Sequence, residues 1–286
     1  MYAIMGATGQ TGGTVVAELQ RRGLPVRALT RDPAKAAGLK DKGAEVVHAD
    51  AADPQSLADA FAGVQGVYVL NVPNPGSGAV RADARRASAA IAEAVRRADV
   101  PHVVVLSSSG AQLAEGTGVI RTLHEFELAL RGTAPSIVFL RPTYFMENWG
   151  ALIDAARHQG VLPSLRQPMD GKHEIVSAID VGRVAAECLL ERRAGERIVN
   201  LIGPQEYSSQ DAAAALSTLL GRQVDAIPVP QEAFVPTLTA AGLSTDYASE
   251  MAQMYEGINA GRVVFEAGEM RRGAVTLIEA LRPLVR

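Results

Sequence analysis

Three glycines at positions 6, 9 and 12, within GATGQTGG (residues 6–13), follow a short apolar run and open a helical pattern. That spacing suits phosphate chemistry: Gly6 permits a tight turn, Gly9 lets the backbone approach a pyrophosphate, and Gly12 allows a helix to pack close to a strand. The N–H groups of the helix, with Thr8, Gln10 and Thr11 on the same loop, would then face the anion. A dinucleotide is the expected ligand. The residues ending the second apolar run decide which one. Thr30 and Arg31 stand where an NAD site places a carboxylate, and a guanidinium there pairs with a 2′-phosphate. NADP(H) is therefore the preferred cofactor. NAD(H) remains the alternative, through Asp32, if the strand runs one residue longer.

Other candidates fall at the ends of later apolar runs. Asp50 is placed to meet an adenine edge, and Asn71, Val72 and Pro73 to border the ribose and nicotinamide. Ser107, Ser108 and Pro142 complete the expected cofactor contacts. Ser109 and His124 are the candidate catalytic residues. His124 could exchange a proton near neutral pH, with Glu127, three residues on, orienting it.

The elements that must position these residues follow from hydrophobic patterning. Apolar runs at 2–6, 25–30, 44–50, 66–72, 101–109 and 136–142 lack alternation, which suits strands covered on both faces. Helical patterns at 11–22, 33–42, 54–62, 79–98 and 120–131 separate them. Strand then helix, repeated five times, predicts an α/β protein with a doubly wound parallel sheet. After residue 143 the rhythm changes. Residues 1–143 are expected to form the dinucleotide domain, to which later segments can return, and residues 144–286 a smaller α/β region on the substrate side. In that region a helix capped by Asp180, a strand RIVNLIG, a helix from Ser208 and a last one from Ser244 to Gly257 are expected.

GATGQTGG, TRDP at 30–33, AFAGVQGVYVL at 60–70 and LRPTYFMENW at 140–149 together resemble the NmrA-like family of atypical short-chain dehydrogenases. VSAIDVGRVAAECL and VNLIGPQEYSSQDAAAAL extend the resemblance nearly to the end of the chain. Within the family it is nearest to the quinone oxidoreductase and triphenylmethane reductase type. The resemblance implies a Rossmann-like fold, bound NADP(H) and a cleft beside a small C-terminal domain. Some members reduce small aromatic acceptors and others sense dinucleotide redox state, so fold transfers better than activity.

The wider clan protonates its substrates with a Tyr-x-x-x-Lys pair. None of the tyrosines at 2, 68, 144, 207, 247 and 255 has a lysine four residues later. Carbonyl reduction is thereby disfavoured. A quinone delocalises the charge that it receives, so positioning and a few hydrogen bonds suffice for hydride transfer. The expected function is NADPH-dependent reduction of a small planar, quinone-like acceptor, and the alternative is a non-catalytic redox sensor acting on a protein partner. Tyr144, Phe145, Met146, Asn148, Trp149, Met251 and Tyr255 are the expected pocket residues.

Net charge of −3 lacks the basic excess that phosphate-backbone binding needs, so direct nucleic-acid binding is not expected. No run of about 18 apolar residues predicts a membrane span. With a strand beginning almost at Met1 and a single cysteine, Cys188, expected inside a helix, a cytoplasmic protein is expected. His48, His102, His158 and His173 lack metal-ligand spacing, so no metal is expected.

Overall fold

The computed structural model describes residues 1–286 except the side chain of Lys35. Six strands come from the first half: β1 (Tyr2–Ile4), β2 (Val26–Thr30), β3 (Glu45–His48), β4 (Gly66–Leu70), β5 (His102–Leu106) and β6 (Ser136–Pro142). Short strands β7 (Tyr144–Phe145), β8 (Val161–Ser164) and β9 (His173–Val176) follow, then β10 (Gly195–Ile202), β11 (Glu206–Tyr207), β12 (Asp225–Pro228) and β13 (Glu269–Arg272). Eight of these form one sheet in the order β13-β10-β6-β5-β4-β1-β2-β3, and every neighbouring pair is parallel. This is the Rossmann-like fold. β10 and β13 join it from beyond residue 143.

Helices α1 (Gln10–Arg21), α2 (Ala37–Lys40), α3 (Pro54–Phe61), α4 (Val80–Arg97) and α5 (Ile120–Leu130) alternate with the first six strands. α6 (Ile153–Gln159), α7 (Ala178–Leu190), α8 (Ser209–Leu220), α9 (Phe234–Ala240), α10 (Thr245–Asn259) and α11 (Leu277–Leu281) follow. One face of the sheet packs on α3, α4 and α5 through Phe61, Ile91, Phe126 and Leu130. The other packs on α1 and α7 through Val15, Leu19, Val181 and Leu189. Coverage of both faces explains the unbroken apolar runs. Cys188 lies within that second core, and burial pushes its thiol up to about 11, so it is an inert core residue.

α7 begins earlier than its expected Asp180 cap. Ser177 caps it, accepting from the Ile179 N–H. Asp180 instead lies in the first turn, where its buried carboxylate accepts from the N–H groups of Ala274 and Val275 at 2.9 and 2.8 Å. Those long-range donors hold the C-terminal segment against the sheet. α8 and α10 start at their expected caps, Ser208 and Ser244.

The remaining elements form two smaller cores. Met146, Trp149, Leu162, Ile175 and Leu216 fill one, and Phe234, Ala252, Met254 and Tyr255 the other. Among the described residues no helix is long and apolar enough to cross a membrane.

Candidate functional site

β1 sits between β2 and β4, so the chain reverses its direction of winding there and leaves a crevice at the carboxyl ends of β1 and β4. Both expected cofactor loops open onto it. Gly6 adopts φ +62°, and Gly9 donates back to the Gly6 carbonyl at 2.8 Å, closing the turn. A Cβ on Gly12 would lie 2.3 Å from the Gly6 oxygen and 2.8 Å from the Met5 oxygen. Only glycine lets α1 approach β1 so closely. Gly9, at the N-cap of α1, has no side-chain oxygen, so the first-turn N–H groups are left for a ligand. The loop therefore fits a pyrophosphate.

Thr8 and Gln10 are exposed on this loop, whereas Thr11 is buried and its hydroxyl accepts from Tyr68 at 3.0 Å. The Thr11 hydroxyl, accepting from Tyr68, keeps its own proton to donate. Arg31 is exposed and forms no ion pair among the described residues. Asp32 turns its carboxylate back to accept from the Ala34 N–H at 3.1 Å, capping the next turn. That engagement weighs against Asp32 as a ribose ligand. Asp50 is exposed and caps its own turn through Ala52. Asn71 is half-buried, and its Nδ2 is a buried donor with no partner. Val72 and Pro73 are exposed beside it.

The three serines have separate fates. The Ser107 hydroxyl donates to Glu127 Oε1 at 2.5 Å, and Ser108 donates to the Ser109 carbonyl. The Ser109 N–H is tied to the Pro142 carbonyl at 2.9 Å, but its hydroxyl has no bond among the described residues. Ser109 is thus the one hydroxyl of the three still available.

His124 is not oriented by Glu127. Its Nδ1 lies 2.8 Å from the Ala111 carbonyl, while the Glu127 carboxylate is taken by Arg141, at 2.8 and 2.6 Å, and by Ser107. His124 borders a polar cavity of about 110 Å³ with Glu127, Arg141 and Glu266. The helical spacing was sound, but a buried guanidinium out-competed the imidazole for the carboxylate.

α10 holds the loops that follow β4 and β5. At its start, Ser244 N–H donates to the Pro75 carbonyl and Asp246 accepts from the Val80 N–H, holding the loop after β4. Further along, the Glu250 carbonyl accepts from Val119, and a Cβ at Gly118 would lie 2.0 Å from that oxygen. The loop after β5 is therefore seated directly on α10.

Tyr144 and Tyr255 join β7 to α10, hydroxyl to hydroxyl at 3.0 Å. Trp149 and Phe234 stand edge-on to this pair, with centroids 6.1 Å from Tyr144 and 6.3 Å from Tyr255 respectively. Met251 packs partly buried beside Tyr255, and Asn148 is exposed. Phe145 and Met146 depart from the expected pocket. Successive residues of a strand point to opposite faces, so Phe145 packs toward the α1–α7 core while Tyr144 faces α10. Met146 is fully buried in the C-terminal core and is no pocket wall.

Two features escaped the sequence reading. Arg141 was signalled by a charge within the apolar run SIVFLRP, but its partners Glu127 and Glu266 were not. Arg166, in a segment without periodicity, carried no signal. It is buried, with its guanidinium 4.7 Å above the Tyr144 ring.

The sequence pattern of the NmrA-like family matches residues 2–266. The chain belongs to the NmrA-like family. It is 30% identical to an NAD(P)H azoreductase of Xenophilus azovorans over 89% of this chain and 86% of that protein. Among solved structures, the NADPH-dependent quinone oxidoreductase of Escherichia coli complexed with NADPH superposes with a TM-score of 0.81, at 26% identity over the whole of both chains. The Citrobacter sp. triphenylmethane reductase complexed with NADP(H) gives 0.78, at 27% identity over 93% of each chain.

Proposed function

We propose that this protein is an NAD(P)H-dependent reductase of a small, planar, electron-poor acceptor of quinone type, with NADPH as the preferred donor. The observation that carries the reading is the glycine cradle of Gly6, Gly9 and Gly12 against an uncapped helix. The three relatives, named as reductases that use or bind NAD(P)H, support it.

Gly9 and the first turn of α1 would hold the pyrophosphate, and Arg31 the 2′-phosphate. Asn71, with its unpartnered Nδ2, would receive the nicotinamide side. When bound, the reduced dinucleotide supplies two electrons as a hydride. The chain's own task is then to position the acceptor and exclude water, with Ser109 donating to an acceptor oxygen and Tyr144 and Tyr255 walling the cleft. His124, held by the Ala111 carbonyl, plays no proton-transfer role in this reading. An acceptor that disperses the incoming charge needs no strong acid at the site.

The test is NADPH oxidation against a panel of quinones, azo dyes and triphenylmethane dyes, beside a fluorescence titration of NADPH. Turnover of at least one quinone with micromolar NADPH binding is expected. Tight NADPH binding with no turnover of any acceptor would overturn this reading in favour of a dinucleotide-responsive regulator.

A further inference from the structure

The protein buries two arginines and treats them differently. Arg141 is met by two carboxylates, Glu127 at 2.6 Å and Glu266 at 2.5 Å. Arg166, 4% exposed, forms no ion pair among the described residues, and its Nε is a buried donor without a partner. A buried cation is costly unless a charge or hydrogen bonds compensate it. The Tyr144 ring beneath it offers a cation–π contact but no acceptor for its N–H groups.

No carboxylate pairs with Arg166 among the described residues, and Tyr144 and Tyr255 are the groups that face its charge. Tyr144 and Tyr255 are kept as neutral phenols, burial pushing both above the ordinary tyrosine range. Burial and the Arg166 charge hold the His173 pKa below the ordinary imidazole range against the opposing pull of Glu206, and its Nε2 is likewise buried without a partner. Arg166 and the two phenols therefore form a set of donors with no anion paired to them among the described residues.

The backbone that carries Arg166 is clamped. Ser164 Oγ accepts from the Arg166 N–H at 3.1 Å, and Ser209 donates to the Arg166 carbonyl at 3.3 Å. Asn259, at the end of α10, donates to the Leu165 carbonyl at 2.8 Å and accepts from the Gln167 N–H at 3.0 Å. A backbone fixed on both sides, with the guanidinium resting on the Tyr144 ring, limits the reordering that a ligand would require. Because Tyr144 and Tyr255 share one hydrogen bond, one of the two hydroxyl protons is also left to donate.

We infer that Arg166, with the Tyr144–Tyr255 hydroxyl pair, binds a carboxylate or sulfonate substituent on the acceptor. The site selects anionic aromatic acceptors and disfavours cationic ones of the same shape. That the anion belongs to an acceptor rests on the reductase reading; that the site takes an aromatic oxyanion does not.

Calorimetric titration of the NADP⁺-loaded protein with naphthalene-2-sulfonate and with naphthalene-2-sulfonamide tests this directly. Trp149, the single tryptophan of the chain and edge-on to Tyr144, gives an independent fluorescence readout. The wild type is expected to bind the sulfonate about tenfold or more tighter than the sulfonamide. Arg166→Gln should bring that ratio to about one, and Arg166→Lys should retain part of it, because charge survives while the planar fork is lost. Equal binding of the two probes by the wild type, or an unchanged ratio in Arg166→Gln, would overturn the inference. Should the Gln variant fail to fold, the wild-type ratio and the Lys variant still decide. Turnover of 1,4-naphthoquinone is scored separately. Turnover with a ratio near one removes the anion site and spares the reductase, whereas a high ratio without turnover of any acceptor does the reverse.

Discussion

The guanidinium of Arg141, on β6, and the carboxylate of Glu127, on α5, form a two-point pair at 2.8 and 2.6 Å with side-chain exposures of 1% and 3%. The pair determines what the neighbouring serines can do, since Glu127 also receives the Ser107 hydroxyl. Removing one member leaves the other charge buried. Glu127→Ala leaves Arg141 with Glu266 as its remaining partner and is expected to cost about 1–3 kcal/mol in denaturant unfolding, whereas replacing both residues by methionine should cost less. A double-mutant cycle showing no coupling between the two positions would refute this account.

Gly12 tests the cradle. A Cβ there meets the Gly6 and Met5 carbonyl oxygens well inside contact distance. Gly12→Ala must push α1 away from β1, so a loss of about 1–3 kcal/mol is expected from overpacking. NADPH affinity should fall with it. A variant that melts like the wild type and titrates NADPH normally would show that the close approach is dispensable.

Arg31 tests cofactor choice. It is exposed, so Arg31→Ala should leave stability unchanged. The loss of a charge-assisted contact should weaken NADPH binding by about tenfold or more and leave NADH binding alone. Equal weakening of both dinucleotides would move the 2′-phosphate contact elsewhere.

His124 tests proton chemistry. With Nδ1 against the Ala111 carbonyl and Glu127 occupied by Arg141, His124→Ala should leave the pH profile of acceptor reduction in place. A basic or acidic limb that disappears in this variant would restore histidine to the mechanism.

His102 predicts a pH dependence of stability. It is wholly buried at the start of β5, with Nε2 against the Cys188 carbonyl at 2.9 Å and Nδ1 against the Ser136 hydroxyl at 2.8 Å. Burial holds its pKa below the ordinary 6.5. The unfolded chain then binds more protons than the folded one below pH 6.5, so stability is full above that pH and declines as pH falls toward the depressed value. His173 adds a shift of the same sign. In His102→Gln the slope of stability against pH in this window should become shallower. An unchanged slope would mean that other groups set it.

The sequence was most informative where structure follows from local rules. The unbroken apolar runs of β4, β5 and β6 report coverage on both faces, and the helix starts at Ser208 and Ser244 were legible because a helix start depends on residues a few positions apart. Asp180 misled for the converse reason. A carboxylate near a helix start looks like a cap, yet its donors, Ala274 and Val275, lie more than ninety residues away.

By itself the sequence determined the doubly wound sheet and the glycine cradle, because hydrophobic period and the sterics of Gly6 and Gly12 act over a few neighbouring residues. Only the tertiary structure decided which chemistry-bearing groups remain free. It tied Ser107 and Arg141 to Glu127, set His124 against the Ala111 carbonyl, left Ser109 available, and buried Arg166 over Tyr144 without a paired counter-charge among the described residues. Those outcomes depend on distances between residues remote in the chain, and competition for a buried partner is settled by whichever group the fold brings closest.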